Sequence, residues 1–139
     1  MYGANGIIGY YEQYNHESAQ ICVACRGSSC GTVNYTQPYS WITGNAMVVN
    51  PDKNPDVVDK RYLYYALTTH DFTSIISGSG QPQIVRTPML SLTVPLPSLA
   101  KQIEIATIID TFEKASVIEM KRLALYQRQN KILLSLLFI

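Results

Sequence analysis

Residues 98–139 contain neither glycine nor proline, and no other stretch of comparable length in the chain lacks both. Nothing local interrupts a helix there. One stripe runs through Ile105, Ile109, Phe112, Ser116, Glu119, Leu123, Tyr126, Asn130, Leu133 and Leu137 in alternating steps of four and three, a heptad repeat. A neighbouring stripe holds Ile108, Ala115, Ile118, Leu125, Ile132 and Leu136 and widens the apolar side. At 1.5 Å per residue, forty helical residues make a rod of about 60 Å. No small domain buries such a rod along its length, so the apolar side needs a partner. Ser116, Glu119 and Asn130 interrupt the seam; polar residues there weaken a helix pair but can fix its register and oligomeric state. A hairpin folding back near residues 116–119 would satisfy the same pattern. The continuous helix is the expectation.

The preceding residues read differently. Asn5-Gly6 suits a type I′ turn, with Ile7, Ile8, Tyr10 and Tyr11 following as a strand. Residues 20–24 and 32–35 are predicted strands separated by the Gly- and Ser-rich residues 26–31, and 41–42 and 46–49 are predicted strands around a Gly44-Asn45 turn. Asp56 is placed to cap a helix carrying Val58, Tyr62, Tyr65, Ala66 and Thr69 at helical spacing and ending near Thr69 or His70. Residues 77–83 form a polar loop. Ile84 and Val85 suggest a brief strand, and Leu90, Leu92 and Val94 alternate as in a strand stopped by Pro95 and Pro97, with Ser98 as a helix cap. The fold class expected is α+β: a small β-rich domain over residues 1–97, then a long amphipathic helix over 98–139.

Hydrophobic residues make up 47% of the 139, enough for a core. The net charge of +1 neither marks nor excludes a nucleic-acid binder. Up to Ser98 five cations face six carboxylates; beyond it six face four, so the terminal segment is the more basic. No signal peptide or membrane-spanning run is visible. Three cysteines without a secretion signal argue against a disulfide scaffold, and a cytoplasmic protein is the default. In that setting the Asn34-Tyr35-Thr36 glycosylation pattern carries no meaning.

Few residues suggest catalysis. Cys22, Cys25 and Cys30 with His16 could be written as a zinc set, but the spacing is irregular and a second pair is missing; ordinary cysteines are the expectation. His16 and His70 accompany no catalytic signature. Residues 27–31 lack the Gly-Lys-Ser/Thr ending of a nucleotide-binding loop. Such a turn beside Arg26 could hold one DNA phosphate through its amides, or be a tight turn with Arg26 in solvent. Asn5, Tyr10, Tyr11, Asn34, Tyr35, Gln37, Tyr39, Trp41 and Asn45 enrich the β unit in amides and aromatics. Asn and Gln can read adenine edges and Arg can read guanine.

Several segments carry a resemblance: Tyr2-Gly3-Ala4-Asn5-Gly6-Ile7-Ile8-Gly9-Tyr10, Ile21-Cys22-Val23-Ala24-Cys25-Arg26-Gly27-Ser28, Trp41-Ile42-Thr43-Gly44-Asn45-Ala46 and Gly78-Ser79-Gly80-Gln81-Pro82-Gln83-Ile84. In this order they resemble the target recognition domain of type I restriction-modification specificity subunits. Residues 92–103 are similar to the family's junction between recognition domain and conserved helix, and residues 133–138 to that helix's end. The family's Glu-Gln pair at the helix start is Lys101-Gln102 here.

The resemblance implies a non-catalytic subunit without cofactor or metal. It would recognise one half of a split site in double-stranded DNA and dock methyltransferase (modification) subunits, with a restriction subunit completing the holocomplex. With one recognition domain and one conserved helix, the chain would pair antiparallel, coiled-coil-like, as a homodimer or with another specificity subunit. The resemblance also implies that the recognition domain is N-terminally truncated here. Arg26, Ser28, Asn34, Tyr35, Gln81 and Gln83 are the candidate DNA-binding residues. Ile105, Ile109, Phe112, Leu123, Tyr126, Leu133 and Leu137 are the candidate helix-pairing residues. The alternative is a truncated interaction protein that pairs through its helix and does not bind DNA.

Overall fold

The structure is a computed structural model describing residues 1–138. Its elements are β1 (Tyr2–Gly3), β2 (Gly6–Ile7), β3 (Ile21–Ala24), β4 (Val33–Tyr35), β5 (Ala46–Val49), α1 (Lys60–Thr68), a 3-10 turn (Thr73–Ile75), α2 (Arg86–Leu90) and α3 (Leu99–Leu137). The architecture is α+β: a small sheet region followed by helices. The chain divides into two units, Met1–Ile103 and Glu104–Ile139.

In the first unit β3 is the central strand of an antiparallel sheet ordered β4-β3-β5. All four of its residues are buried, and alternation sends Ile21 and Val23 to one cluster and Cys22 to another. Ile21 and Val23 pack with Cys25, Leu67, Phe72 and Ile84. Cys22 packs with Tyr2, Ile42 and Ala46. Full burial of an Ile or Val side chain contributes about 1.5–3 kcal/mol, so β3 anchors both clusters. Cys22 and Cys25 therefore sit in different clusters, which separates the pair that the zinc reading needed. Burial pushes the Cys22 thiol up to about 11.

Several expected elements differ in the structure. The β1-β2 hairpin pairs Gly3 with Gly6, so its turn is Ala4-Asn5, one residue earlier than expected. Gly6 enters the ladder at φ +101°, a conformation open to glycine. Ladder pairing ends at Ile7, and Tyr10 and Tyr11 are exposed rather than in a strand. Residues 41–42 contribute one bridge, from Ile42 to Tyr2, rather than a strand. Helix α1 is capped by Asp59, whose carboxylate accepts the Tyr62 N–H at 2.7 Å, and not by Asp56. The chain before it closes its own turn, with Val57 and Val58 both donating to the Asn54 carbonyl.

Residues 84–94 form no strand. Ile84 is buried, Val85 is the extended cap of α2, and Leu92 and Val94 pack on the core without a ladder. The alternation reflects the inward-facing Leu92 and Val94, which need no strand partner, while Leu90, at the end of α2, is 72% exposed.

Helix α3 is continuous from Leu99 to Leu137. No hairpin forms near residues 116–119. Ile139, the expected last residue of the segment, lies outside the described residues. From residue 111 to 138 every position is exposed, Leu123 (57%), Leu133 (55%) and Leu137 (74%) included. Among the described residues no helix is long and apolar enough to cross a membrane.

Candidate nucleic-acid interface

The loop leaving β3 is built from its own backbone. The Gly31 N–H donates to Ala24 O at 2.8 Å, and the Cys30 N–H to Gly27 O at 3.0 Å. Gly27 and Gly31 hold φ values of +78° and +92°, which turn the chain tightly where a side chain would be strained. A second loop closes between Ser77 and Gln83, which exchange two N–H···O bonds of 2.8 Å. The two loops are joined. Arg26 bridges to Gln83, the Gly27 N–H donates to Pro82 O at 2.9 Å, and the Ile84 N–H donates to Cys25 O at 3.1 Å.

Four of the six candidate DNA-binding residues thus come together. Arg26, Ser28, Gln81 and Gln83 are all exposed on this joined pair of loops. The backbone is pre-ordered, so ordering it on binding would cost little entropy. Gly78 is part of that order: at φ +92°, a Cβ there would lie 2.4 Å from the Gln81 carbonyl oxygen. The amide cradle considered for residues 27–31 is largely committed elsewhere. The N–H groups of Gly27, Cys30 and Gly31 all donate within the protein. What the loop presents is the side chains of Arg26 and Ser28.

Asn34 and Tyr35 do not join this group. They lie on β4 toward the far end of the β3 pairing, opposite Cys22 and Ile21. Asn34 is near the β1-β2 hairpin: its Oδ1 would lie 3.7 Å from a Cβ at Gly6. Tyr35 packs edge-on to Tyr64, ring centroids 5.4 Å apart. The Arg61 guanidinium lies 4.7 Å from the Tyr35 ring centroid, 5.1 Å from that of Tyr64 and 4.9 Å from that of Tyr65. Such a cation–π cluster ties α1 to β4.

Sequence reasoning missed Arg61 as an organising residue. Tyr64 and Tyr65, three and four residues on, were a visible signal, but the third ring comes from a strand.

Gln102 was missed as well. Its side chain is fully buried. Its Oε1 accepts the Asp59 N–H at 2.9 Å, and its Nε2 donates to Val57 O at 2.9 Å and Pro97 O at 2.8 Å. One amide thereby fixes the entry of α1 and the start of α3.

A second surface carries aromatics that the composition had highlighted. Tyr11 stacks edge-on with Trp41, and Tyr14 with Tyr39, at centroid distances of 5.2 and 5.3 Å. Tyr39 is 68% exposed and adopts φ +52°.

The fold defined by this sheet and long terminal helix has a solved counterpart. It is similar to the crystal structure of a type I restriction-modification system S subunit from M. genitalium, with a TM-score of 0.67, 21% identity, and coverage of 88% of this chain and 34% of that one. Residues 1–125 match the family described as the type I restriction modification DNA specificity domain, and the chain belongs to that family. It is 30% identical over 125 residues to the specificity subunit of the Escherichia coli type I restriction enzyme EcoprrI, covering 87% of this chain and 30% of the relative. It is also 30% identical over 113 residues to a Haemophilus influenzae protein named as a type I restriction enzyme specificity subunit, covering 78% of this chain and 28% of the relative. The chain thus spans somewhat under a third of the length of these relatives. Specificity subunits are the non-catalytic components of such systems.

Proposed function

We propose that the chain is a DNA sequence-specificity module of a type I restriction-modification complex. Its β-rich unit reads one half of a bipartite double-stranded target. Its long helix docks methyltransferase subunits and pairs with a second copy or with another specificity subunit, and a restriction subunit completes the holocomplex.

The supporting observation is the joined pair of loops, which sets Arg26, Ser28, Gln81 and Gln83 on one pre-ordered edge. These are the side-chain types that recognise DNA: Arg for guanine or a phosphate, Gln for adenine, Ser for a phosphate oxygen. A net charge of +1 leaves little non-specific attraction. Recognition would then rest on a few local contacts and on additional subunits.

The test is co-expression with the cognate methyltransferase subunits, co-purification, and sequencing of methylated sites in the host DNA. A single bipartite motif is expected. Co-purification with no sequence-specific methylation would favour a helix-pairing protein that does not read DNA. Failure to co-purify would overturn the docking role.

A further inference from the structure

The seam of α3 has a self-complementary register. Its members are open to solvent from residue 112 onward: Phe112 (72%), Leu123 (57%), Tyr126 (53%) and Leu133 (55%). Ile105 and Ile109, earlier in the same stripe, are already half-buried. From Phe112 to Leu137 every residue of the stripe is exposed. In an antiparallel helix pair, each seam residue opposes a seam residue of the other strand, and a slip of one heptad exchanges every opposing pair.

We infer that two copies of this chain pair antiparallel through α3 in the one register that sets Glu119 of each copy against Asn130 of the other. The inference rests on the helix-pairing part of the proposed function. In this register Leu123 meets Tyr126, Ser116 meets Leu133, and Phe112 meets Leu137. The overlap begins and ends where the exposed seam does, and covers about 39 Å of helix. Both large polar interruptions fall opposite one another, so the Asn130 amide can donate to the Glu119 carboxylate. That carboxylate already accepts from Arg122 of its own helix at 2.9 Å. A partly neutralised carboxylate with a further donor costs less to bury than a bare one.

The competing registers break this match. Slipping one heptad in one direction sets Glu119 against Leu123 and Asn130 against Phe112. Slipping in the other sets Glu119 against Leu137 and Asn130 against Tyr126. Each buries a charge or an amide against an apolar or ill-matched side chain. A parallel in-register pair sets Glu119 against Glu119, with two like charges in the seam. The polar residues that interrupt the stripe thus act as its address.

Cysteine cross-linking of the full chain tests this. The double variant Ser116→Cys/Leu133→Cys keeps Glu119 and Asn130. It should give a covalent dimer on mild oxidation, mapped by mass spectrometry to 116–133 links. Ile109→Cys/Leu133→Cys and Leu123→Cys/Leu133→Cys report the two slipped registers and should not give covalent dimers. Neither should the single variant Ser116→Cys, which reports the parallel pair. Adding Glu119→Leu and Asn130→Leu should let the slipped pairs cross-link as well. All these positions except Ile109 are exposed on a continuous helix, and circular dichroism checks that each variant is folded.

A dimer that cross-links in another register, or in none, overturns the assigned register and leaves helix pairing standing. Unchanged selectivity after Glu119→Leu/Asn130→Leu overturns the role of the polar pair. A monomer by light scattering in the unmodified chain overturns both the register and the homodimer.

Discussion

Gln102 shows how much one side chain can hold. Its buried amide satisfies the Asp59 N–H and the carbonyls of Val57 and Pro97, three backbone groups that water would otherwise have to reach. Each buried group left unpaired costs about 1–3 kcal/mol. Gln102→Leu keeps the approximate volume and removes every one of these bonds. It should lower stability by about 3 kcal/mol in urea unfolding; a loss below about 1 kcal/mol would mean that water replaces the amide. Arg26 represents the opposite case, an exposed side chain whose value lies in what it meets. Arg26→Ala should leave stability within about 0.5 kcal/mol of the parent. It should weaken DNA binding by the complex with methyltransferase subunits about tenfold, measured by electrophoretic mobility shift, as expected for one lost guanine or phosphate contact. Unchanged affinity would remove it from the interface. Arg26 and Gln83 could each be named from the sequence as polar residues in Gly-rich turns. That they are neighbours could not, because the bridge joins loops more than fifty residues apart in the chain.

Among the elements, helix α3 and strand β3 stand at opposite ends of legibility. The helix is written locally: no breaker, a heptad stripe and polar flanks. Its observed span of Leu99–Leu137 follows from that. Strand β3 was also visible as a short apolar run, bounded by glycines and polar residues. Residues 90–94 misled for a physical reason. Alternating apolar side chains indicate inward-facing positions, and Leu92 and Val94 reach the core from an irregular segment as well as a ladder would bring them, while Leu90 on α2 stays exposed. For α3 the exposed Leu123 and Leu133 carry the expectation of pairing. Replacing both with glutamine should convert a dimer into a monomer. Light scattering would then read 15.6 kDa instead of twice that mass, since each copy loses two buried leucines worth about 2 kcal/mol or more apiece. A mass that does not change would refute pairing through this stripe.

On the scale of the whole molecule, symmetry makes the sharpest prediction. Two identical chains related by a two-fold axis present identical reading surfaces in opposite orientations. If the chain acts as a homodimer, the methylated motif should be an inverted repeat with an unread spacer, and sequencing of modified DNA should return two halves that are reverse complements of each other. An asymmetric motif would show that a different specificity subunit supplies the second half.

The sequence by itself determined the long helix, its apolar stripe and the polar interruptions, because helical periodicity depends only on near neighbours. It also carried the family, through short segments in a set order. Tertiary structure alone decided which loops share an edge, that Tyr35 serves a cation–π cluster with Arg61, and that Gln102 is buried where it can hold two helix entries. These depend on contacts between residues distant in the chain, and no local pattern encodes their distances. The helix that most constrains the chain keeps its reading. What the structure adds is where that helix is open to solvent, and so which of its residues a second copy could cover.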